Sequence, residues 1–596
     1  MGVSRIRAVR RGTVLVGIAA AALACARSGA PGARDTGAAP SAVASAEPAK
    51  PTRFVTDFDR SEAAQSALGG RMRSTLLRGI REHAPAKVRE ALAPDFSGRF
   101  FTPEDGEALV DPSVTIRRPK AGVVLPILDA GGLVAAVERS FGGWSLIERS
   151  SWRNFSFLLD ESGRWAHAAA HVRIGGVAGD QSRRELVATV EVEAVLAGGE
   201  WTIRRLAVPE AYWSEVALPP FREVGDVSGF GFNHSAENEE QIQRMIDERL
   251  MYASGGLTAV DMNRDGRWDI LATEYDRGAA LFENDGRGGF VAKRLPLIGP
   301  KEAGHFYLWL DLDADGKEEL VGTPIVDRSG RRAELPLYTW KRGKMERVRG
   351  ALSFELPEGV DFASFPSATS CDLDGDGKLD LYFLGYNHSG SGSGFNTVSA
   401  SDGMRDLLFI NRGGLKFSEE AEERGIRTTK YSYVALCHDL DGDADPDLFV
   451  GNDYGTNDYF ENLGAGRFRA VEAHPLRRAG SNGPAYAMGF SLADFDNTGR
   501  WSLAVSNMYS HAGSRMVPIA QGISDQTRAA LQALAGGSTF FEQRDGGWVE
   551  TGEARGVRLA DWAWGSSFFD FDNDLDKDLY VVNGYHTHRD PDAPDY

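Results

Sequence analysis

The spacing of apolar residues changes along the chain. Leu68, Met72, Leu76 and Ile80 recur every four residues and predict an amphipathic helix, which Val88 and Leu92 continue after a break near Pro85. A shorter helix is predicted near Leu133 to Phe141. The period then drops to two. Ala166, Ala168, Ala170, Val172 and Ile174 form one apolar face, and Leu186, Ala188, Val190, Val192, Ala194 and Leu196 form another. WTIRRLAV from Trp201 reads as the last strand. Helices followed by an antiparallel sheet with one buried face predict an α+β domain over residues 54–215.

From residue 216 to 596 a different pattern repeats: an apolar strand, an acidic loop, then a second apolar strand. Six copies begin at Ala259, Trp309, Cys371, His438, Ala493 and Phe569. The first Asp of each is position one of its loop. Position two is always apolar (Met262, Leu312, Leu373, Leu440, Phe495, Phe571), and so is position ten, from Ile270 to Leu579. Position six is glycine in four copies, where the chain must bend sharply. Repeats every 50–76 residues, each with strand signals, predict a propeller or array.

Positions one, three, five and nine carry oxygen side chains, the donors that suit a hard cation such as Ca²⁺. The first loop offers Asp261, Asn263, Asp265 and Asp269, and the second Asp311, Asp313, Asp315 and Glu319. The third offers Asp372, Asp374, Asp376 and Asp380, and the fourth Asp439, Asp441, Asp443 and Asp447. The sixth offers Asp570, Asp572, Asp574 and Asp578. The fifth keeps Asp494 and Asp496 but has Thr498 and Ser502 where acids are expected, so it should bind weakly or not at all. An EF-hand needs a carboxylate at position twelve and flanking helices. Position twelve here is Ala272, Gly322, Phe383, Val450, Val505 or Val581, and the flanks read as strands, which excludes that motif.

Between the loops a second phrase recurs: LFENDGRGGF from Leu281, LFINRGGLKF from Leu408 and YFENLGAGRF from Tyr459. Each predicts a hairpin, giving four strands per repeat. Five repeats have residues for four strands; the sixth supplies two, and FREVGDVSGF from Phe221 is a candidate to complete it. On these motifs the region resembles the VCBS/FG-GAP repeat family, the Ca²⁺-loop β-propellers related to integrin α heads. Phrases such as VGNDYGTNDYFENLGAGRF and WAWGSSFFDFDNDLDKDLYVVNG are similar to bacterial cartilage-acidic-protein-like members. The resemblance implies seven blades where six motif-bearing ones are readable. The order of elements in the α+β domain resembles nuclear-transport-factor-like (SnoaL-like) domains, which implies a sheet curled around a cone-shaped pocket.

The first residues predict an address. Arg5, Arg7, Arg10 and Arg11 precede an apolar stretch from Thr13 to Ala24, too short to span a bilayer comfortably. The stretch ends Ala22-Leu23-Ala24-Cys25, which resembles a bacterial lipoprotein cleavage box with its leucine one place late. Residues 1–24 are thus expected to be a signal peptide, with Cys25 lipidated and residues 25–53 a flexible tether; plain secretion is the second choice. Cys371 and Cys437 stand one and two residues before the first Asp of their loops, positions that face opposite sides of a strand. They are expected to fill core positions, although an exported protein permits a bridge.

The formal net charge is −19, of which six divalent ions would offset about 12. That balance excludes a basic nucleic-acid footprint. His167 and His171 share one strand face with Glu191 and Glu193 on the next, a pair able to do acid–base work, but alternation puts them on the solvated side. His586, His588 and Asp590 read as an exposed tail. The expected function is a non-enzymatic, calcium-stabilised binding or adhesion scaffold, anchored by lipid to the bacterial envelope at the outer membrane or surface. Its partner would be an extracellular or envelope protein or glycan. The alternatives are an enzyme, such as one acting on polysaccharide through the propeller face or the α+β pocket, and a purely structural envelope component.

Overall fold

The computed structural model describes residues 54–583, apart from 218–227, 233–254 and several shorter stretches. Cys25 with its signal and tether, and the His586, His588 and Asp590 group, lie outside the described residues. The chain divides into two compact units.

In the first unit the four-residue period builds a helix over Phe58–Met72, which runs on through a π turn at Arg73–Leu77 to Arg81. Pro85 opens a further short helix, Pro85–Glu90, where its missing N–H costs nothing. The helix Ala130–Phe141 starts at Asp129, whose carboxylate accepts the Gly132 amide at 2.7 Å. The strands are β1 (Leu92–Gly98), β2 (Gly106–Val110), β3 (Thr115–Pro119), β4 (Trp144–Leu159), β5 (Trp165–Ala178), β6 (Arg183–Ala197) and β7 (Glu200–Val216). They form one sheet in the order β2-β3-β7-β6-β5-β4, with β1 parallel to β7. The alternating alanines and valines of β5 and β6 are buried beneath the helices, together with Phe101, Phe141, Trp144, Trp152 and Trp213.

The second unit contains five four-stranded antiparallel sheets and three two-stranded ones among the described residues. Blade one spans Gly256–Leu295, blade two Tyr307–Arg347, blade three Ser367–Glu419, blade four Tyr431–Ala470, blade five Ala487–Glu550 and blade six Ala563–Asn583. In each, the acidic loop joins strands one and two. In blades one, three and four the Asn-Gly phrase joins strands three and four, as the hairpin signal predicts. Two short ribbons, Ile325–Asp327 with Phe362–Ser364 and Arg332–Glu334 with Ser353–Glu355, are set between blades two and three. Consecutive sheets pack face to face: Leu271 and Leu320 share one core, Val321 and Leu381 the next, Tyr382 and Leu448 the next, and Phe449 and Leu503 the next. This propeller-like stacking buries both faces of an inner blade, which is why position eleven can be as apolar as position ten.

Most of the FREVGDVSGF stretch, 221–227, lies outside the described residues; at its end the Phe230 ring packs on the first blade, 4.7 Å from Phe282 and 6.1 Å from Phe290. One expectation is corrected. Cys371 and Cys437 are bridged. Strand parity places them on opposite faces, but does not say which faces meet. Successive blades stack front to back, so cysteines on opposite faces of neighbouring sheets are the ones that meet.

Candidate metal centre

Each acidic loop is first a hydrogen-bonded turn. In the third, Asp372 accepts the amides of Asp376 at 3.0 Å and Gly377 at 2.8 Å, and Asp376 accepts the amide of Lys378 at 3.0 Å. The same pair of bonds to position one recurs at Asp261, Asp311, Asp494 and Asp570. In the fourth loop Asp439 instead takes the amides of Gly442 and Ala444. Position six has φ between 77° and 85° in all six loops, including the non-glycines Ala444 and Leu575.

Position nine does something the ligand pattern alone did not suggest. Asp269, Glu319, Asp380 and Asp447 are almost completely buried. Asp380 accepts the Leu373 amide at 3.0 Å and the Asn411 amide at 2.8 Å, which ties strands one, two and three of its blade together. Asp447 holds Leu440 and Asn462 in the same way at 3.1 and 2.9 Å, and also the Tyr459 hydroxyl at 2.8 Å. Glu319 holds the Leu312 amide and the Thr339 hydroxyl. Burial pushes Glu319 up to about 7, and Asp380 and Asp447 up to about 6. A carboxylate so placed needs a proton or a neighbouring cation.

Three loops converge oxygen atoms to within 4.8 Å of one another: Asp311, Asp313 and Asp315; Asp372, Asp374 and Asp380; and Asp439, Asp441 and Asp447. Asp376 stands apart from its group and pairs with Lys378 at 2.5 Å. Asp443 is likewise outside the fourth group, and Glu319 outside the second. Asp261, Asn263, Asp265 and Asp269 share the first loop; Asp265 pairs there with Arg267. Asp494 and Asp496 bond Thr498 in the fifth. In the sixth, Asp570 and Asp574 are joined by the Asp574 amide, Asp578 holds Phe571, and Asp572 lies outside the described residues. The donors fit a hard divalent cation. All are oxygens, their spread matches ligands about 2.3–2.6 Å from a central ion, and the buried Asp374 Oδ1 has no hydrogen-bond partner.

Asparagine is the contact that pattern reading missed. Asn411 Nδ2 donates to the Leu312 carbonyl of the preceding blade at 2.8 Å, and Asn462 Nδ2 to that of Leu373 at 2.9 Å. Both carbonyls belong to position two. Trp548 Nε1 and the Lys577 amide reach the next two in the series, Leu440 and Phe495, at 3.0 and 2.9 Å. Its signal is the Phe-x-Asn phrase, which by itself predicts only a hairpin.

In the first unit His167 lies opposite Glu193, and Glu193 opposite Arg205, on the sheet face away from the core. There they line a groove of about 260 Å³ with Glu191, Arg99 and Ser97. His171 is elsewhere on that face, stacked on Phe155 with ring centres 4.5 Å apart.

A family model described as an FG-GAP-like repeat matches residues 261–322 and 439–505. Human cartilage acidic protein 1 is 26% identical over 274 residues, 42% of this chain and 39% of the relative. The mouse protein of that name is also 26% identical over 274 residues, 42% of this chain and 40% of its own. The chain thus spans about two fifths of the length of these curated relatives. Among solved structures, hexachlorocyclohexane dehydrochlorinase LinA-type3 from Novosphingobium barchaimii LL02 is 14% identical, with a TM-score of 0.20, over 28% of this chain and 99% of that one. An NTF2-like protein of unknown function from Pseudomonas putida KT2440 is 15% identical, with a TM-score of 0.16, over 25% and 87%.

Proposed function

We propose that this chain is an exported, lipid-anchored scaffold whose acidic loops bind Ca²⁺ and whose stiffened blades hold an extracellular or envelope protein or glycan. The observation that carries this reading is the convergence of carboxylates at one equivalent loop of successive sheets. When bound, Ca²⁺ would supply charge compensation and cross-linking of strands one and two, not Lewis-acid chemistry. Asp372, Asp374 and Asp380 would hold it in blade three, Asp439, Asp441 and Asp447 in blade four, and Asp311, Asp313 and Asp315 in blade two. The similarity to FG-GAP-like repeats supports a scaffold, and the Cys371–Cys437 bridge supports export into an oxidising compartment.

Two measurements test it. Elemental analysis and melting with and without EDTA should show bound calcium and a lowered Tm on chelation. Mass spectrometry should find an acyl chain on Cys25, and Cys25→Ser should release the protein from membranes. A calcium-free protein whose melting ignores EDTA refutes the metal reading; an unlipidated Cys25 favours plain secretion. The groove at His167 and Glu193 gives the second reading, an acid–base site. Substrate turnover abolished by His167→Ala would establish it.

A further inference from the structure

The converging groups of blades three and four are joined to each other by three separate links. The first is Asn462, on the third strand of blade four. Its backbone amide donates to Asp447 Oδ1 at 2.9 Å, and its side-chain amide donates to the Leu373 carbonyl at 2.9 Å. Asp447 belongs to the fourth group, and Leu373 stands between Asp372 and Asp374 of the third. One residue thus holds both loops. The second link is Arg424, which follows blade three. It donates to Asp374 Oδ2 at 3.4 Å, and to the Ala465 and Gly466 carbonyls of the blade-four hairpin at 2.7 and 3.1 Å. That hairpin lies tight against the third loop: a Cβ added to Gly466 would stand 3.1 Å from Asp374 Cβ and 3.2 Å from the Leu373 carbonyl oxygen. The third link is the bridge. Cys371 precedes Asp372 and pairs with Asp380 across its sheet, while Cys437 pairs with Leu448, the neighbour of Asp447. The two cysteine Cα atoms are 6.6 Å apart. Between loops two and three the asparagine link recurs, through Asn411, Asp380 and Leu312, without a bridge.

We propose, on the reading that these loops hold Ca²⁺, that loops three and four fill as a coupled pair and that Asn462 is the positioning residue that carries the coupling. In an empty loop the carboxylates repel one another, and a backbone that gives way draws Leu373 off the Asn462 side chain. Asn462 then holds Asp447 less firmly in its frame. In a filled loop Leu373 is fixed, so part of the cost of ordering the neighbouring loop is already met. The bridge and Arg424 keep the two frames at one spacing, so a shift in one is felt in the other. Charge acts in the opposite direction, since filling one loop cancels negative charge that attracts the next ion. Salt screens that effect and leaves the bridge and the buried hydrogen bonds in place.

The test is a calcium titration of the whole decalcified protein followed by hydrogen exchange, in which residues 372–380 and 439–447 report the two loops separately. Asp374→Ala should raise the calcium midpoint for protection of 439–447 about fivefold, the low end of ordinary coupling between sites. In an Asn462→Ala background the same substitution should shift that midpoint less than about twofold. Asn462→Ala keeps the backbone amide on Asp447 and removes only the side-chain links. A purely structural role would therefore lower the Tm and leave the fivefold shift. Replacing both cysteines by serine should shrink the shift as well, and this pair decides should Asn462→Ala not fold. Raising KCl from about 0.15 M to about 1 M should not reduce the shift in the parent. A 439–447 midpoint that ignores Asp374→Ala overturns the coupling. So does a shift that survives both Asn462→Ala and the serine pair, or one that vanishes in high salt, which assigns it to charge. Bound calcium with uncoupled midpoints overturns the pairing alone, whereas a protein that binds no calcium overturns the metal reading beneath it.

Discussion

Blades three and five begin from the same strand pattern and are held together by different means. In blade three, Asp380 sits buried at the junction of three strands, Asn411 reaches back to the preceding loop, and a disulfide ties the sheet to blade four. In blade five, Ser502 replaces the junction carboxylate, and the Gln543 amide bonds the Trp501 carbonyl directly at 2.9 Å. The indole of Trp548 reaches back to Leu440 in place of an asparagine. The difference teaches that the position-two carbonyl is the fixed element of the stack and the donor to it is interchangeable. If the loops hold calcium, a blade can do without its ion provided neutral hydrogen bonds take over the carboxylate's contacts, since a buried carboxylate without a cation costs more than a buried serine.

Calcium removal should break this comparison most strongly. Each occupied site adds about 2.7 kcal/mol at a hundredfold excess of ion over Kd, so chelation should lower the Tm by many degrees. Asp374→Ala should abolish much of the calcium-dependent part, because its side chain belongs to the converging group of blade three. Asp496→Ala should leave that part unchanged, since Asp496 merely accepts the Thr498 hydroxyl. Calcium titrations followed by melting decide it, and equal losses in the two variants would remove the distinction between the blades.

The bridge comes next in size. It closes a 66-residue separation, for which about 2–4 kcal/mol is expected. Replacing both cysteines by serine should lower stability by that amount in chemical denaturation. Dithiothreitol should do the same to the parent protein and nothing to the variant.

Away from the loops, Asp453 of blade four is buried beside Tyr386, whose hydroxyl donates to it at 2.6 Å, while blade five has Met508 at the equivalent place. Burial pushes the Asp453 carboxyl up to about 7. The folded state therefore keeps a proton that the unfolded chain releases near pH 4. The stabilisation is complete below that value and is lost as the pH rises to about 7. Asp453→Asn keeps an acceptor for Tyr386 without the charge. It should gain on the order of 2 kcal/mol over the parent at pH 8 and match it at pH 4. Urea melts at the two pH values, in calcium, measure this; a gain of equal size at both would mean that packing, not ionisation, is responsible.

Much of this architecture was legible beforehand, and the omissions have physical causes. Alternation located β5, β6 and β7, and the repeat located six loops and the hairpins after them. Strand β4 escaped because three register shifts interrupt its alternation. The bridge escaped because strand parity says which face a residue occupies, and only the stacking of blades says which faces meet. The junction role of position nine escaped because a ligand pattern and a buried hydrogen-bond acceptor call for the same residue type. For the groove, alternation placed His167 and Glu193 on the correct face, but how residues from β1 and β7 enclose them depends on tertiary packing.

The smallest effect isolates backbone from ion. Position six is left-handed in every loop, and at Gly377 and Gly499 an added Cβ would meet no atom within 4 Å. Space therefore does not demand glycine there; only the backbone angle does. A left-handed non-glycine residue costs roughly 1–2 kcal/mol, partly offset by the larger entropy glycine loses on folding. Gly377→Ala in blade three and Gly499→Ala in blade five should each lose about 1 kcal/mol in EDTA. Leu575→Gly in blade six, where the leucine is 78% exposed and leaves little packing to lose, should gain about 0.5–1 kcal/mol. In calcium the cost at Gly377 should grow, because a distorted turn also weakens the site, while the cost at Gly499 should not. If both costs grow together, blade five binds an ion after all, and the contrast between the two blades collapses.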